Sequence, residues 1–486
     1  MAATAATHGG ALPRHDGFHL DPPLYYPPTL QHHGGALENS MPSFPFYGSS
    51  SIENISHPPG LDAVHFVEAG KPVPRSETDG SEDTSMGPPL SHQVHVLGFT
   101  TEAKFVTHAL ASIPRIPPVQ LFVHHPTILS RWGQEGRNIR LLDADGHYIS
   151  SREILCPEFI GPFTPGLMLR HYGTKMKYLD NVIVSTASWS VVSSLKHLQN
   201  RIDRRTTICL LHKGLGLMEW LNQQVFTDPT LRPRYVLGHF SHKISKHSDT
   251  SYTVKTKNEG KLYLYCVPEY VHTSYGQTRR SPEAMRQTQN LVKLLSATEY
   301  LGTVGVEWDS FLFRKLPGVV FSSLADSISV ILGCRYDQIL NDHHAVRLWN
   351  TLLDETIHII LSFPEIQNKR IILKYFEGAS FRKHLWSRLV ARKDTYSPWI
   401  TWIRNGHNSG VHFANGYFIK RATAMGVSHA HNSMVMDLVS ARQKARRREL
   451  ERDIPYGLAP YIMDGDKLGG GQGVDDPELD NLEDSI

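Results

Sequence analysis

The chain has 486 residues, 40% of them hydrophobic and 20% charged, with 50 Lys+Arg against 47 Asp+Glu for a formal charge of +3. This length accommodates two cored domains with flexible ends, and the near balance of charge excludes a generally basic nucleic-acid binder, so any RNA contact has to be local. The 4 cysteines form no CxxC pair, which excludes a zinc ribbon, a thioredoxin-type site or a disulfide framework and fits a reducing compartment. No run of about 18 apolar residues stands out, so no membrane span is expected.

From Met1 to about Leu90 the chain is rich in Pro, Gly, Ser and His without a sustained helical or strand period, and residues 1–90 read as a disordered arm. Its histidines lack metal-ligand spacing, so no metal site is expected. Order begins at Val94-His95-Val96-Leu97-Gly98, a β-rich run that leads into the helical pattern Ala103, Val106, Ala109 and Leu110. Val119–Val123 completes a βαβ unit. Further strands are expected at Val182–Val184, Thr207–Leu211 and Leu262–Val267, giving a parallel α/β domain over 91–272. Thr273–Pro282 reads as a connection.

Beyond it the pattern becomes amphipathic and helical over 283–447, with expected helices at Asn290–Ala297, Trp308–Leu316, Val319–Leu332, His343–Leu361 and Gly416–Arg447. Trp386, Trp399 and Trp402 fall at helical spacings and read as core or domain-interface residues. The last segment, 448–486, turns from basic (Lys444, Arg446, Arg447, Arg448, Arg452) to acidic (Asp464 to Asp484) and reads as a solvated tail. Ser241, His242 and Asp249 do not make a triad by proximity alone.

A nucleotide-binding loop of the GxGxxG type uses its glycines for a tight turn, for close approach of backbone to pyrophosphate and for helix–strand packing. The corresponding run here is Gly98-Phe99-Thr100-Thr101-Glu102-Ala103. Only the turn glycine remains. Thr100 puts a Cβ where phosphate should approach, Glu102 brings negative charge to a helix N-terminus, and Ala103 is a tolerable packing replacement.

The order and spacing of Val94–Gly98, Lys104-Phe105-Val106, Pro117-Pro118-Val119, Gly214-Leu215-Gly216, Phe311–Leu316, Leu332-Gly333-Cys334 and Asn415-Gly416-Tyr417 resemble the ketopantoate reductase family. The resemblance implies a Rossmann-type N-terminal domain followed by an all-α domain similar to the C-terminal domain of 6-phosphogluconate dehydrogenase, with NADPH and substrate between them. It also places the family's active positions. The phosphate-side lysine falls at Ala187, the Asn-Gly pair at Lys213-Gly214, and the catalytic lysine at Gly318. The substrate asparagine falls at Ser322, a serine around Ser397, and a glutamate at Gly410. Glycine cannot donate a proton, and Lys315, one helical turn earlier, reads as a surface lysine with its stem along the helix, although it could substitute if it reached the cleft.

These losses suggest a non-catalytic member working as a binding or regulatory protein, similar to fungal mitochondrial translational activators for cytochrome b. Expected partners are then mitochondrial mRNA or the ribosome, through Lys444–Arg452 and Arg201–Arg205, and proteins through the disordered termini. The expected localisation is the mitochondrion, with the cytoplasm as alternative. No cofactor is expected. The competing expectation is an NADPH-dependent 2-dehydropantoate 2-reductase or related 2-oxoacid reductase, with Lys315 or Lys213 donating the proton and Arg131 and Arg137 meeting the cofactor's 2′-phosphate.

Overall fold

In a computed structural model of the chain, the described residues are 93–452 apart from 115, 117, 161–176, 248–249, 258–259 and 273–277. The expected N-terminal arm and acidic tail lie outside them.

The first domain starts with β1 (Val94–Leu97), whose four residues are all buried, as a central parallel strand covered on both faces requires. α1 (Thr101–Leu110), β2 (Gln120–Val123) and α2 (Pro126–Gln134) complete the βαβ unit. β3 (Asn138–Leu142), β4 (Tyr148–Glu153) and β5 (Glu158–Phe159) precede β6 (Asn181–Val184), α3 (Val191–Leu198), β7 (Thr207–Leu210) and α4 (Leu217–Gln224). After β8 (Arg234–Phe240), β9 (Ile244–Lys246), β10 (Thr253–Thr256) and β11 (Leu262–Cys266) comes the hairpin of β12 (Tyr270–His272) and β13 (Thr278–Arg280), then α5 (Pro282–Ser296) and β14 (Val304–Gly305).

The main sheet runs β14-β11-β8-β7-β6-β1-β2-β5. β1 pairs in parallel with β2 on one side and β6 on the other, the arrangement that opens a crevice at the strand ends. β11 reverses this direction by pairing antiparallel with β8.

Two differences from the sequence-based expectation have clear physical causes. α1 is buried all round instead of on one apolar face, because a second sheet, β4-β3-β10-β9, covers its outer side. Lys104 and His108 therefore point inward and are held there, Lys104 Nζ donating to the Ser251 carbonyl (3.0 Å) and His108 Nε2 lying 3.0 Å from Ser150 Oγ. Likewise α5 and β14 belong to the first domain, not to a helical domain starting at 283. Leu291, Leu295 and Leu301 join the core under the main sheet, and β14 extends its edge beside β11.

The second domain is helical. α6 (Trp308–Phe321) runs through a π turn at Ser322–Asp326 into α7 (Ser327–Leu332). Pro317 lies inside α6, and the widened turn beyond it absorbs a backbone that cannot stay uniformly α-helical. By length and mean hydropathy (1.4) the run Trp308–Leu332 passes for a membrane span, although none is expected from the sequence. It is 72% buried inside the protein, as the central rod of a helical core.

Around the rod pack α8 (Tyr336–Asn341), α9 (His343–Leu361), α10 (Pro364–Gln367), α11 (Arg370–Glu377), α12 (Ala379–Ala391), α13 (Pro398–Arg404), α14 (Asn415–Met425) and α15 (Ala430–Arg452). The expected single helix over Gly416–Arg447 is two helices, broken by Gly426 in the left-handed conformation (φ 68°). α15 also continues through Arg452, past the boundary expected at 447. Asn415, fully buried, donates to the Ser323 carbonyl and to Asn432 Oδ1 (both 3.1 Å) and accepts from Ser327 Oγ (2.8 Å), fastening α14 to the π turn and to α15.

Candidate functional site

The crevice at the end of β1 begins with Gly98. Its φ is +119°, and a Cβ there would lie 2.0 Å from the Ser185 carbonyl oxygen, so the crossing of the β1–α1 and β6–α3 turns demands glycine. Thr100 does more than add bulk. Its Oγ1 accepts from Ala103 N (3.1 Å) and shares a hydrogen with Ser185 Oγ (2.7 Å). A hydroxyl of the chain itself thus caps the helix end that in a nucleotide loop faces phosphate. Glu102 adds its charge to the same turn, and Ala103 is fully buried.

The loops after β6 and β7 are tied together by His212. Gly214 N donates to its Nδ1 (3.1 Å), which leaves the proton on Nε2 to bond Ser188 Oγ (2.8 Å). Burial, with the nearby charges of Lys315 and Lys213, pushes this imidazole down to about 3, so it stays neutral. The Ala187 carbonyl accepts from Ser190 N (3.0 Å) and Oγ (3.1 Å) in the turn into α3. Lys213 is exposed at the loop tip.

The second domain plugs into these loops. Leu215 N donates to the Phe413 carbonyl (2.9 Å), and a Cβ on Gly214 would lie 2.4 Å from Phe413 Cβ. Phe413, 7% exposed, joins the hydrophobic cluster of the first domain. Trp189 stacks on His407 with ring centroids 3.7 Å apart, and Trp220 stacks on His412.

Gly410 is covered by an indole: a Cβ there would lie 2.9 Å from Trp399 Nε1. The neighbouring hydroxyls face inward. Ser397 Oγ caps α13 at Trp399 N (3.1 Å), and both Ser397 and Ser322 bond Asp326. Asp326 Oδ1 also accepts from Tyr336 OH (2.5 Å). Burial raises the Asp326 carboxyl despite those three donors.

Gly318 faces the helical domain, where a Cβ at this position would have Arg388 Nη1 as its nearest neighbour, 3.9 Å away. The lysine at the domain junction is Lys315, and its reading as a surface residue is corrected. It is 5% exposed, and its Nζ donates to the carbonyls of His212 and Gly238. Trp308, Phe311 and Lys315 share one face of α6 by the i, i+3, i+7 rule, and that face lines a cavity of about 240 Å³ against α4, β8 and α14. Burial, followed by repulsion from Lys213, brings Lys315 down to about 7.

Other candidates are dispersed. Ser241 Oγ donates to the Lys261 carbonyl (2.9 Å) while His242 Nε2 lies 3.2 Å from the Tyr300 carbonyl, and Asp249 is outside the described residues. Arg131 donates to Ser251 Oγ (2.8 Å); Arg137 is exposed. Arg201 pairs with Glu158 (3.0 Å) and Arg205 with Asp203 (2.7 Å), leaving Arg204 as the exposed cation of that segment. On α15, Arg446 and Arg447 donate to the carbonyls of Arg404 and Gly406, and Lys444 and Arg448 are exposed. Asp143, Asp145 and His147 converge on the β3–β4 turn, where Asp143 accepts from the Asp145 and His147 amides.

His212, Phe413, Tyr417 and the Trp399–Gly410 contact do not stand out as site features in the sequence. The one available signal is the glycine at 410, which needs a bulky neighbour to fill its space.

A doubly wound sheet whose crevice is met by a helical second domain defines the class of two-domain dinucleotide-dependent oxidoreductase folds. The ketopantoate reductase PanE/ApbA family matches residues 95–268, and the ketopantoate reductase PanE/ApbA C-terminal family matches 313–443. Together they cover more than half of the chain, which belongs to the ketopantoate reductase family. The 2-dehydropantoate 2-reductase of Saccharomyces cerevisiae is 22% identical over 283 residues, covering 57% of this chain and 70% of that protein. Among solved structures, a ketopantoate reductase from Ralstonia eutropha aligns with a TM-score of 0.48 at 13% identity, covering 73% of this chain and 99% of that one. A D-mandelate dehydrogenase solved with NADH and anilino(oxo)acetate aligns with a TM-score of 0.47 at 12% identity over 73% and 99%.

Proposed function

We propose that this ketopantoate-reductase-like protein does not transfer hydride and acts instead as a binding or regulatory factor, with mitochondrial translation as its setting. The observation that carries this reading is the covering of Gly410 by Trp399: the position the family resemblance gives to a glutamate has lost its acid and been filled by a packed indole. The Thr100 cap and the Phe413 plug support it, because each puts a side chain of the protein where a ligand group would have to enter. Hydride transfer requires the cofactor to be bound first.

In the proposed setting the contact is made with mitochondrial mRNA or the ribosome through the exposed Lys444 and Arg448, with the segments outside 93–452 recruiting proteins. The test is direct. Purified protein mixed with NADPH and 2-dehydropantoate is expected to leave the nicotinamide absorbance unchanged, and calorimetry at millimolar NADPH is expected to show no binding. Robust reduction overturns the reading. Mitochondrial location of the tagged protein and salt-dependent RNA binding, reduced by Lys444→Glu and Arg448→Glu together, test the setting.

Lys315 favours a second reading, an NADPH-dependent 2-oxoacid reductase. A buried amine brought to about 7 is matched to proton donation near neutral pH. Under this reading Lys315→Met abolishes turnover, and NADPH binds without any change at Thr100 or Glu102.

A further inference from the structure

We propose that the cavity walled by α4, β8, α6 and α14 is a binding site for a small monocarboxylate with an apolar body, held by Lys315 and Tyr417 at the junction of the two domains. The inference goes beyond the loss of hydride transfer and needs neither a nicotinamide nor an oxo group. The dinucleotide crevice of this fold opens over β1 and β6; this cavity opens beside Leu210, Leu237 and Gly238, at β7 and β8.

Its walls are mainly apolar, with Leu215, Met218, Leu237, Trp308 and Phe311 around about 240 Å³. That is just under the roughly 300–1,000 Å³ usual for drug-sized ligands, which limits the occupant to a small molecule. Two polar groups in it are incompletely used. An ammonium has three N–H donors, and Lys315 spends two on the His212 and Gly238 carbonyls. Tyr417, 8% exposed and part of the same lining, has a buried hydroxyl with no hydrogen-bond partner among the described residues. A buried hydroxyl left in that state costs roughly 1–3 kcal/mol, so a ligand oxygen that accepts from it recovers part of that cost.

The surrounding charges select an anion. Lys213 acts on Lys315 from the adjoining loop, and Lys420 and Arg421 line the cavity from α14. Of the two carboxylates nearby, Glu365 is held by Arg421 (2.6 Å) and Trp308 Nε1 (3.2 Å), and Glu219 lies half-buried on α4. His212 and His239 are neutral, each pushed down to about 3 by burial. Among the described residues, no carboxylate is one of the charges acting on Lys315. One ligand carboxylate accepts the remaining lysine donor and the tyrosine hydroxyl while its alkyl part meets the apolar wall.

The experiment is calorimetric titration of the full chain at pH 8 with hexanoate and with hexanamide, in two buffers of different ionisation heat. Saturable one-site binding of hexanoate, at least tenfold tighter than the amide and accompanied by proton uptake as Lys315 becomes charged, is the expected result. Tyr417→Phe keeps the ring and removes a hydroxyl without a partner, so the variant folds; it should bind hexanoate about fivefold to tenfold more weakly. Equal binding of acid and amide, wild-type affinity in Tyr417→Phe, or no saturable binding of hexanoate overturns the proposal. NADPH-dependent turnover would overturn the non-catalytic reading and leave this test unaffected.

Discussion

Replacing Lys315 by Met keeps a long side chain in the same place and removes a titration, so its effect is read in the pH dependence of stability. Burial lowers this lysine from 10.5 to about 7 in the folded protein, and in the unfolded chain it returns to about 10.4. Between those values the unfolded state binds more protons, so stability rises with pH across the window, by up to about 1.4 kcal/mol per pH unit. For this lysine the gain from pH 7 to pH 9 is about 2 kcal/mol, and below pH 7 the contribution levels off. Urea unfolding of wild type and Lys315→Met at half-unit steps from pH 6.5 to 9.5, followed by far-UV circular dichroism, isolates the difference. The wild type should gain on the variant by about 2 kcal/mol over that interval. Parallel curves for the two proteins would show that Lys315 is not buried in water-poor surroundings, and would remove the basis for both its roles above.

The acid side gives the mirror case. His95, His108 and His212 are buried and pushed down to about 4, 4 and 3, so the unfolded chain takes up protons first as pH falls below about 6.5. Stability should drop between pH 6.5 and 4, and an acid titration by tryptophan fluorescence that stayed flat there would contradict it. Gly98→Ala and Gly214→Ala should each cost about 3 kcal/mol or more in denaturant unfolding, the first through a positive φ and a carbonyl 2.0 Å away, the second through Phe413 Cβ at 2.4 Å. Trp399→Ala should cost about 3–5 kcal/mol. Gly410→Ala, harmful alone, should be partly relieved in that background, with a coupling of about 1–3 kcal/mol in the double-mutant cycle; additivity would mean that the indole does not cover Gly410. NADPH binding gained by Thr100→Gly with Glu102→Val, and absent from wild type, would show that the phosphate end of the crevice is closed by these two residues.

Local pattern is enough for much of the architecture. Short apolar runs at Val94–Leu97, Thr207–Leu210 and Leu262–Cys266 form strands, and the 3.6-residue period of His343–Leu361 gives α9. The degenerate loop Gly98–Ala103 is also legible, because each glycine of a phosphate loop has a one-residue steric reason. The domain to which α5 belongs is not legible, because an amphipathic helix does not state which core its apolar face meets. α1 reads as one-sided because the sheet that covers its other face comes from β3, β4, β9 and β10, the last of them well over a hundred residues away in the chain.

At the site the same division holds. Sequence alone determined that the fold is a Rossmann-type domain followed by a helical one, and that glycines stand at 318 and 410. Tertiary structure decided what those positions mean. Gly318 lies away from the junction and Lys315 is at it, because the helical face of α6 that meets β8 is set by domain packing, not by counting back along the chain. Gly410 is a fitted space for Trp399, and the unpartnered Tyr417 hydroxyl exists only where α4, α6 and α14 converge. Spacing along a chain fixes which face of an element a residue occupies; only the packing of that face against distant segments fixes its exposure, its partners and its charge.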